Sequence, residues 1–263
     1  MPKSIWTPST RPSFLYNPFP PTSQALDEPN GLLASGGDLS ADTLLRAYAQ
    51  GIFPWFESDR EMLWWTPDPR MIIRPAELHV SKSLKKTIRK NGWRIHYDTN
   101  FKQVLLSCAS VPRKQDEVGT WITQEMSQAY QHLHSLGVAH SIEIYDDKTL
   151  IGGLYGLMLG RVFFGESMFS RASNASKVAL VALARLCMAH GIEMIDCQVH
   201  NPHLESLGAS LVTRKDFEKY LREAIKEPMS EILQNPACLL PERVLPVNER
   251  LSTPLPYEAA SLL

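Results

Sequence analysis

The sequence has few cysteines, no long apolar run and almost no net charge. Four cysteines in 263 residues, without C-x-x-C spacing, are too sparse for a disulfide framework and favour a reducing compartment. No apolar run approaches the roughly 20 residues that span a bilayer, and prolines and aromatics interrupt the N-terminal segment where a signal peptide needs a continuous apolar core. A net charge of -1 leaves nucleic-acid binding to a local patch. We therefore expect a cytoplasmic protein.

The distribution of proline divides the chain into four predicted regions. Residues 1–27 are rich in proline and predict an extended arm. Residues 28–70 predict a small N-terminal domain, in which Asp38 or Ser40 caps a helix that Gly51 ends, followed by an aromatic loop. Residues 71–240 form a larger domain of alternating helical and extended patterns, and residues 241–263 form a proline-rich tail. The predicted fold class is α+β with α/β-like alternation.

Hydrophobic periodicity predicts the elements of the larger domain. The predicted helices span residues 81–90, 101–109, 123–136, 174–190 and 215–226, and the predicted strands span residues 93–97, 141–145, 150–159, 161–165 and 194–199. Because Asp146 and Asp147 make a turn between two alternating segments, the strands around them are expected to form an antiparallel meander. The expected sheet is mixed and largely antiparallel.

The first of these helices carries a run of basic residues. Its cations recur at helical spacing, which places them on one face: Lys82, Lys85, Lys86, Arg89 and Lys90. Such a face can contact phosphates, although a charged helical face is more often only solvated. The run alone therefore favours a solvated surface over a nucleic-acid contact.

Two other clusters are not expected to carry chemistry. Cys197, His200 and His203 have short spacing, but strand alternation turns Cys197 away from His200 and Pro202 breaks the strand, so no shared zinc tetrahedron is predicted. Ser167 lacks the G-x-S-x-G elbow that a nucleophilic serine of that kind requires. We predict neither a metal site nor a serine nucleophile.

Several motifs together resemble one protein family. They are EPNGLLASGGDLS, GIFPWF, LWWTPDPR, GTWIT, GGLYG, FFGESMFSRASNASKVAL and IDCQVHNPHLESLGA. From about residue 28 to residue 221 the chain resembles the leucyl/phenylalanyl-tRNA–protein transferase family. The resemblance implies a small N-terminal domain followed by a GNAT-like acyltransferase domain, acting as a monomer without a cofactor.

The resemblance also implies an activity. Leucine or phenylalanine, and also methionine, would move from aminoacyl-tRNA to the α-amino group of a protein with N-terminal arginine or lysine, marking it for N-end-rule degradation. An aminoacyl ester is already activated, so the transfer needs positioning and proton handling rather than ATP or a metal.

Candidate site residues follow from positions that match the family's motifs. Glu166, Asp196 and Gln198 correspond to the peptide-transfer site. The positions of the family's apolar pocket for the donor side chain are matched by Leu154, Phe163, Leu180 and Leu183. Trp55 and Trp121 match aromatic positions near the terminal adenosine of the tRNA and the amino acid. Without the family, such apolar residues are more often plain core. The need for tRNA also makes the basic helix a tRNA-binding candidate.

The roles of the three polar residues are constrained by charge. Asp196 and Gln198 are two apart on a predicted strand, so both side chains should face one way, and Asp196 could polarise the amide of Gln198. A carboxylate beside the attacking amine would raise the pKa of that amine. We therefore expect Glu166 to hold the acceptor's cationic side chain, while Asp196 and Gln198 orient the amine. The roles could be exchanged, and the 2'-hydroxyl of the ester could relay the proton.

Two alternatives remain at this point. An acyl-CoA-dependent N-acetyltransferase would carry a glycine-rich turn at a helix N-terminus to hold the pyrophosphate. The corresponding turn here reads Arg171-Ala-Ser-Asn-Ala-Ser176, which disfavours an acyl-CoA donor. A non-catalytic tRNA- or peptide-binding module is disfavoured because the three polar residues are all present.

Overall fold

A small antiparallel sheet and a larger mixed sheet organise the fold. The structure is a computed structural model, and it describes residues 19–56, 61–110 and 122–225. The small sheet has the order β1-β3-β2 and consists of β1 (Leu32–Ser35), β2 (Phe53–Pro54) and β3 (Leu63–Trp65). Phe19 and Ala25, at the end of the predicted arm, are buried, and the Phe19 ring packs edge-on at 4.8 Å from Trp64.

The larger sheet has seven strands in the order β10-β4-β9-β8-β7-β6-β5. They are β4 (Arg70–Ile73), β5 (Arg94–Tyr97), β6 (Ala139–Asp146), β7 (Thr149–Leu159), β8 (Val162–Ser170), β9 (Met194–Gln198) and β10 (Ser210–Val212). Strands β8 and β9 pair in parallel, whereas the other neighbouring pairs of this sheet are antiparallel. The predicted α+β class with a small N-terminal unit and a mixed, largely antiparallel sheet is confirmed.

Seven α-helices accompany the sheets within the described residues. They are α1 (Ala41–Tyr48), α2 (Lys82–Asn91), α3 (Phe101–Ala109), α4 (Gln124–Ser135), α5 (Ala175–Ala189), α6 (Pro202–Glu205) and α7 (Arg214–Ala224). Hydroxyl caps fix where several begin, because the side chains of Ser40, Ser81, Thr123 and Thr213 accept a hydrogen bond from the first turn. None of the helices in the described ranges is long and apolar enough to cross a membrane.

The hydrophobic core forms two clusters on opposite faces of the larger sheet. One contains residues of α1, α3, α4 and α7, and the other contains residues of α2 and α5. Strand alternation assigns neighbours to opposite clusters, so Tyr155 and Phe164 join the first while Leu154 and Phe163 join the second. The α5 side of the sheet therefore receives the residues predicted for a donor pocket.

Most predicted elements of the larger domain are present with small shifts at their ends. The main difference is β8, which was expected to end at Gly165 but continues to Ser170 because it stays paired with β7, with Gly152 opposite Ser170. Glu166 consequently lies within a strand. Strand β4, the short elements α6 and β10, and the three strands of the small sheet were not predicted from the sequence.

Candidate active site

A cavity of about 420 Å³ lies where the two sheets meet. Its walls come from β2 and the residue that follows it, from β7, β8 and β9, and from α5 and α6. Its lining combines apolar side chains, here called the apolar end, with polar residues that include Glu166, Asp196 and Gln198; the part around Glu166 and Gln198 is called the polar end. The cavity thus joins most of the residues predicted for the donor and acceptor halves of the site.

The apolar end contains the four residues predicted for the donor pocket. Leu154, Phe163, Leu180 and Leu183 all line the cavity, and each is almost fully buried. Leu180 and Leu183 are three apart on α5, so they present neighbouring side chains on one face of that helix. The structure therefore brings this predicted set together around one space.

Trp55 is an exposed aromatic residue of the cavity lining. Its side chain is 46% exposed, and its ring centroid is 5.6 Å from that of Trp65. The indole N–H of Trp65 donates to the backbone carbonyl of Trp55 at 2.7 Å, which fixes the backbone there. Trp121, the other predicted aromatic, lies outside the described residues.

Glu166 is the centre of the polar end. Its Oε1 accepts hydrogen bonds from the Tyr48 hydroxyl at 2.8 Å and from the Gln198 Nε2 at 2.9 Å, and its Oε2 accepts one from the Tyr130 hydroxyl at 2.9 Å. Burial raises the pKa of Glu166 to about 7, although the two hydroxyl hydrogen bonds act in the opposite direction. Glu166 can therefore change charge near neutral pH.

Tyr48 and Tyr130 contact Glu166, and neither was predicted from the sequence to do so. They come from α1 and α4, are fully buried, and their hydroxyls also contact each other. Burial and the neighbouring Glu166 raise the pKa of both hydroxyls, so each keeps its proton at neutral pH and remains a donor. The only signal in the sequence was that a buried tyrosine usually finds a polar partner.

The contact between Glu166 and Gln198 follows from the register of the parallel strands. Phe164 of β8 is opposite Asp196 of β9, so Glu166 and Gln198 come two residues later on adjacent strands. The Gln198 amide nitrogen is the donor, because an ionised carboxylate only accepts. Glu166 rather than Asp196 therefore orients the side chain of Gln198.

Asp196 occupies a different position from the one expected. It is fully buried and forms a bidentate ion pair with Arg70, with Oδ1 2.8 Å from Nε and Oδ2 2.6 Å from Nη2. Its Oδ1 also accepts the backbone N–H of Gln198 at 2.9 Å. The expectation that Asp196 polarises the Gln198 side chain is wrong in this geometry, because Gln198 has a φ of +63° and strand alternation ends there.

The predicted tRNA-binding residues lie away from the cavity. Lys82, Lys85, Lys86, Arg89 and Lys90 are all exposed on α2, which packs inward through Leu84 and Ile88. The predicted basic face exists, but none of its residues is among those that line the cavity. Any contact with tRNA would therefore involve a part of the nucleic acid outside the cavity.

The N-terminus of α5 is closed by contacts within the chain. The guanidinium of Arg171 donates to the Leu150 carbonyl at 3.2 Å and to the Ser107 hydroxyl at 3.1 Å. The Ser170 hydroxyl accepts the backbone N–H of Ser176 at 3.2 Å. A phosphate at this turn would have to compete with these contacts.

Comparison with known proteins identifies the class of enzyme. The family model described as leucyl/phenylalanyl-tRNA protein transferase matches residues 72–222, and the model of that enzyme's N-terminal domain matches residues 37–68. The cavity and the mixed sheet, whose residues fall largely within these matches, are those of an aminoacyltransferase.

Curated relatives cover most of the chain. A leucyl/phenylalanyl-tRNA–protein transferase of Pseudomonas fluorescens (strain SBW25) is 51% identical over 80% of this chain and 92% of its own. The enzyme of the same name from Nitrosomonas europaea is 55% identical over 78% of this chain and 86% of its own. The chain belongs to the leucyl/phenylalanyl-tRNA–protein transferase family, as the motifs predicted.

Solved structures that match are more distant. An aminoglycoside acetyltransferase from an uncultured soil metagenomic sample is 15% identical over 53% of this chain and 93% of its own, with a TM-score of 0.33. The L-PGS protein of Bacillus licheniformis is 10% identical over 62% of this chain and 52% of its own, with a TM-score of 0.37. At these scores the likeness has no bearing on function.

Proposed function

We propose that this aminoacyltransferase moves leucine, phenylalanine or methionine from aminoacyl-tRNA to the α-amino group of a protein whose first residue is arginine or lysine. The product would enter N-end-rule degradation in the cytoplasm, and the enzyme would act as a monomer. The observation that carries the proposal is that one cavity is lined both by apolar side chains and by Glu166 and Gln198, whose carboxylate and amide contact each other.

The apolar end suits the donor amino acid. Buried hydrophobic side chains line it, among them Leu154, Phe163, Leu180 and Leu183. Such a pocket distinguishes a single methylene by only about 1–3 kcal/mol, so leucine, phenylalanine and methionine would all be accepted. Trp55 would stack on the terminal adenosine, a contact worth roughly 1–3 kcal/mol.

The polar end suits a cationic acceptor. An ionised carboxylate has about four lone-pair positions, and three protein donors contact Glu166. One position therefore remains for the guanidinium or ammonium group of the acceptor's first side chain. Since the amide nitrogen of Gln198 faces Glu166, its carbonyl oxygen can accept a hydrogen bond from the attacking amine.

The chemical step then needs little more than alignment. The neutral amine attacks the ester carbonyl carbon, the new amide bond forms, and the ester C–O bond to the ribose breaks. The amine loses a proton and the ribose oxygen gains one. A free α-amino group has a pKa of about 7.7–8.0, so a useful fraction is neutral near pH 7. The 2'-hydroxyl of the ribose remains a candidate for relaying the proton, alongside the carbonyl oxygen of Gln198.

The exposed basic face of α2 would bind phosphates of the tRNA. Alanine at both Lys85 and Lys86 should weaken the binding of tRNA. The slope of the logarithm of the binding constant against the logarithm of salt concentration should become shallower by about 0.7–0.9 for each phosphate that the variant no longer neutralises. Lys102, which is exposed on α3, offers a matched control, because alanine there removes a surface charge outside this face. Equal salt slopes for the wild-type protein and the α2 variant would contradict the assignment of this face.

Mass spectrometry of an arginine-initiated peptide tests the reaction itself. Incubation with the protein and Leu-tRNA should add the mass of one leucine residue, whereas an N-acetylated copy of the peptide should stay unchanged. A parallel reaction with acetyl-CoA addresses the other acyl donor, which the closed N-terminus of α5 disfavours. Acetylation of the peptide, together with no gain from Leu-, Phe- or Met-tRNA, would overturn the proposal.

A further inference from the structure

Arg70 is buried behind the cavity and makes no part of its lining. Its side chain is 1% exposed, and its planar guanidinium donates to both oxygens of Asp196. The remaining terminal nitrogen, Nη1, donates to the backbone carbonyl of Gly51 at 3.0 Å. Every nitrogen of the guanidinium is therefore engaged within the protein.

Two aromatic rings hold the same guanidinium. Its central carbon lies 4.9 Å from the ring centroid of Phe53 and 4.6 Å from that of Phe217. Phe53 belongs to β2 and lines the cavity, whereas Phe217 comes from α7. A lysine could keep the charge here, but it could not reproduce the planar fork or the ring contacts.

A hydrogen bond to the backbone of Gln198 connects the ion pair to the cavity. Asp196 Oδ1 accepts the Gln198 N–H while Gln198 adopts a φ of +63°, a region that residues with a Cβ rarely occupy. From this backbone the Gln198 side chain extends to Glu166. Asp196 can hold that N–H only while its own carboxylate is held in place.

We propose that Arg70 is a positioning residue for aminoacyl transfer, which acts through Asp196 to hold the backbone of Gln198 so that its amide faces Glu166. The inference rests on the proposed function, since it assigns Gln198 to the acceptor side of that reaction. A buried ion pair often contributes little net stability, because desolvation of the two charges opposes their attraction.

Arg70→Lys tests the proposal against a matched arginine. Arg214 is also held by a backbone carbonyl, that of Thr66 at 2.7 Å, but it is not among the cavity residues. With saturating Leu-tRNA and arginine-initiated peptide, Arg70→Lys should slow a single turnover by about 10- to 100-fold, because small misplacements near the reacting atoms have effects of that size. Arg214→Lys should leave that rate within about twofold of wild type, and the KM for tRNA should be unchanged in both variants.

A readout at Gln198 separates positioning from general destabilisation. In NMR spectra of protein labelled with ¹⁵N-glutamine, the side-chain amide resonance of Gln198 is assigned as the one that is absent from the spectrum of Gln198→Ala. It should shift in folded Arg70→Lys and stay in place in Arg214→Lys. An unshifted resonance with a wild-type turnover rate in folded Arg70→Lys would overturn the inference.

A second variant covers the case in which Arg70→Lys does not fold. Phe217→Leu removes one ring from the guanidinium and leaves the ion pair, and it should give a slower turnover together with the same resonance shift. A folded Phe217→Leu with wild-type turnover and resonance would overturn the inference. Absence of leucine transfer by the wild-type protein would instead refute the proposed function, while the resonance experiment would still report on Arg70.

Discussion

The charge of Glu166 should control both acceptor recognition and the pH dependence of transfer. The perturbation is Glu166→Gln, which keeps the side-chain volume and removes the charge. In the wild-type protein, the second-order rate constant kcat/KM for an arginine-initiated peptide reports ionisations of the free enzyme and the free peptide. Two groups must lose a proton for productive encounter, namely Glu166, whose pKa is raised by burial to about 7, and the peptide's α-amino group.

The magnitude follows from these two pKa values. At pH values below both pKa values, a plot of log kcat/KM against pH should have a slope near 2 for the wild-type protein and near 1 for Glu166→Gln. Between pH 5.5 and pH 6.5, with an α-amino pKa of about 7.7 and a Glu166 pKa of about 7, the wild-type value should increase by roughly 70-fold. The variant should increase by only about tenfold, because the amine alone titrates.

A neutral acceptor supplies the matching control. A citrulline-initiated peptide has nearly the shape of the arginine peptide without its charge. A hydrogen bond between charged partners contributes about 1.5–3 kcal/mol, so the wild-type protein should prefer arginine over citrulline by roughly 10- to 150-fold at pH 8. Glu166→Gln should lose most of this preference.

The assay is an initial-rate series at low peptide concentration, with leucine incorporation followed by mass spectrometry and with folding checked by circular dichroism at each pH. Equal slopes for the two proteins would show that Glu166 does not titrate in the reaction. An unchanged preference for arginine in Glu166→Gln would show that the acceptor cation is held elsewhere.

Three further predictions concern neighbouring side chains. Tyr130→Phe removes a hydrogen bond that lowers the pKa of Glu166, so the acid limb of the kcat/KM profile should move to higher pH; an unmoved limb would contradict this coupling. Gln198→Gly and Gln198→Ala should both lose transfer, but because Gln198 has a φ of +63°, urea denaturation should show the glycine variant to be more stable by roughly 1 kcal/mol. Trp55→Ala should weaken aminoacyl-tRNA binding by about 1–3 kcal/mol in a fluorescence anisotropy titration and leave the thermal midpoint nearly unchanged, because Trp55 is 46% exposed; unchanged affinity would remove it from the donor site.

Local signals in the sequence were sufficient for most of the helices, whereas the residues proposed for a donor pocket came from the motif resemblance. Apolar periodicity acts over a few residues, and the helices predicted to begin at residues 81 and 123 begin one residue later in the structure, where Ser81 and Thr123 are their caps. The motif resemblance placed Leu154 and Leu183 in one pocket, and both line the cavity. These features depend on residues that are close in sequence or on a recognised motif.

The polar network could not be predicted in the same way, because its partners are distant in sequence. Tyr48, Tyr130 and Glu166 come from three elements separated by long stretches of chain, and nothing in the local pattern distinguishes the two tyrosines from core aromatics. The contacts of Asp196 differ from the prediction for the same reason. Alternation along a regular strand predicts that the side chains of Asp196 and Gln198 face the same way. In the structure the Asp196 carboxylate instead pairs with Arg70, and the left-handed backbone of Gln198 ends the alternation.

The sequence predicted that the N-terminal region contributes an aromatic loop to the site, and the structure shows that it contributes buried contacts as well. The Tyr48 hydroxyl of α1 donates to Glu166, the Gly51 carbonyl accepts from Arg70, and the Phe53 ring centroid lies 4.9 Å from the central carbon of that guanidinium. The carboxylate that would hold the acceptor and the arginine that would position Gln198 are therefore each held by residues of both regions. Displacement of the N-terminal region would leave Glu166 Oε1 without the Tyr48 hydroxyl and Arg70 Nη1 without the Gly51 carbonyl. The loss of a hydrogen-bond partner in a protein interior is unfavourable in free energy. The two regions must consequently fold against each other before the proposed acceptor site exists.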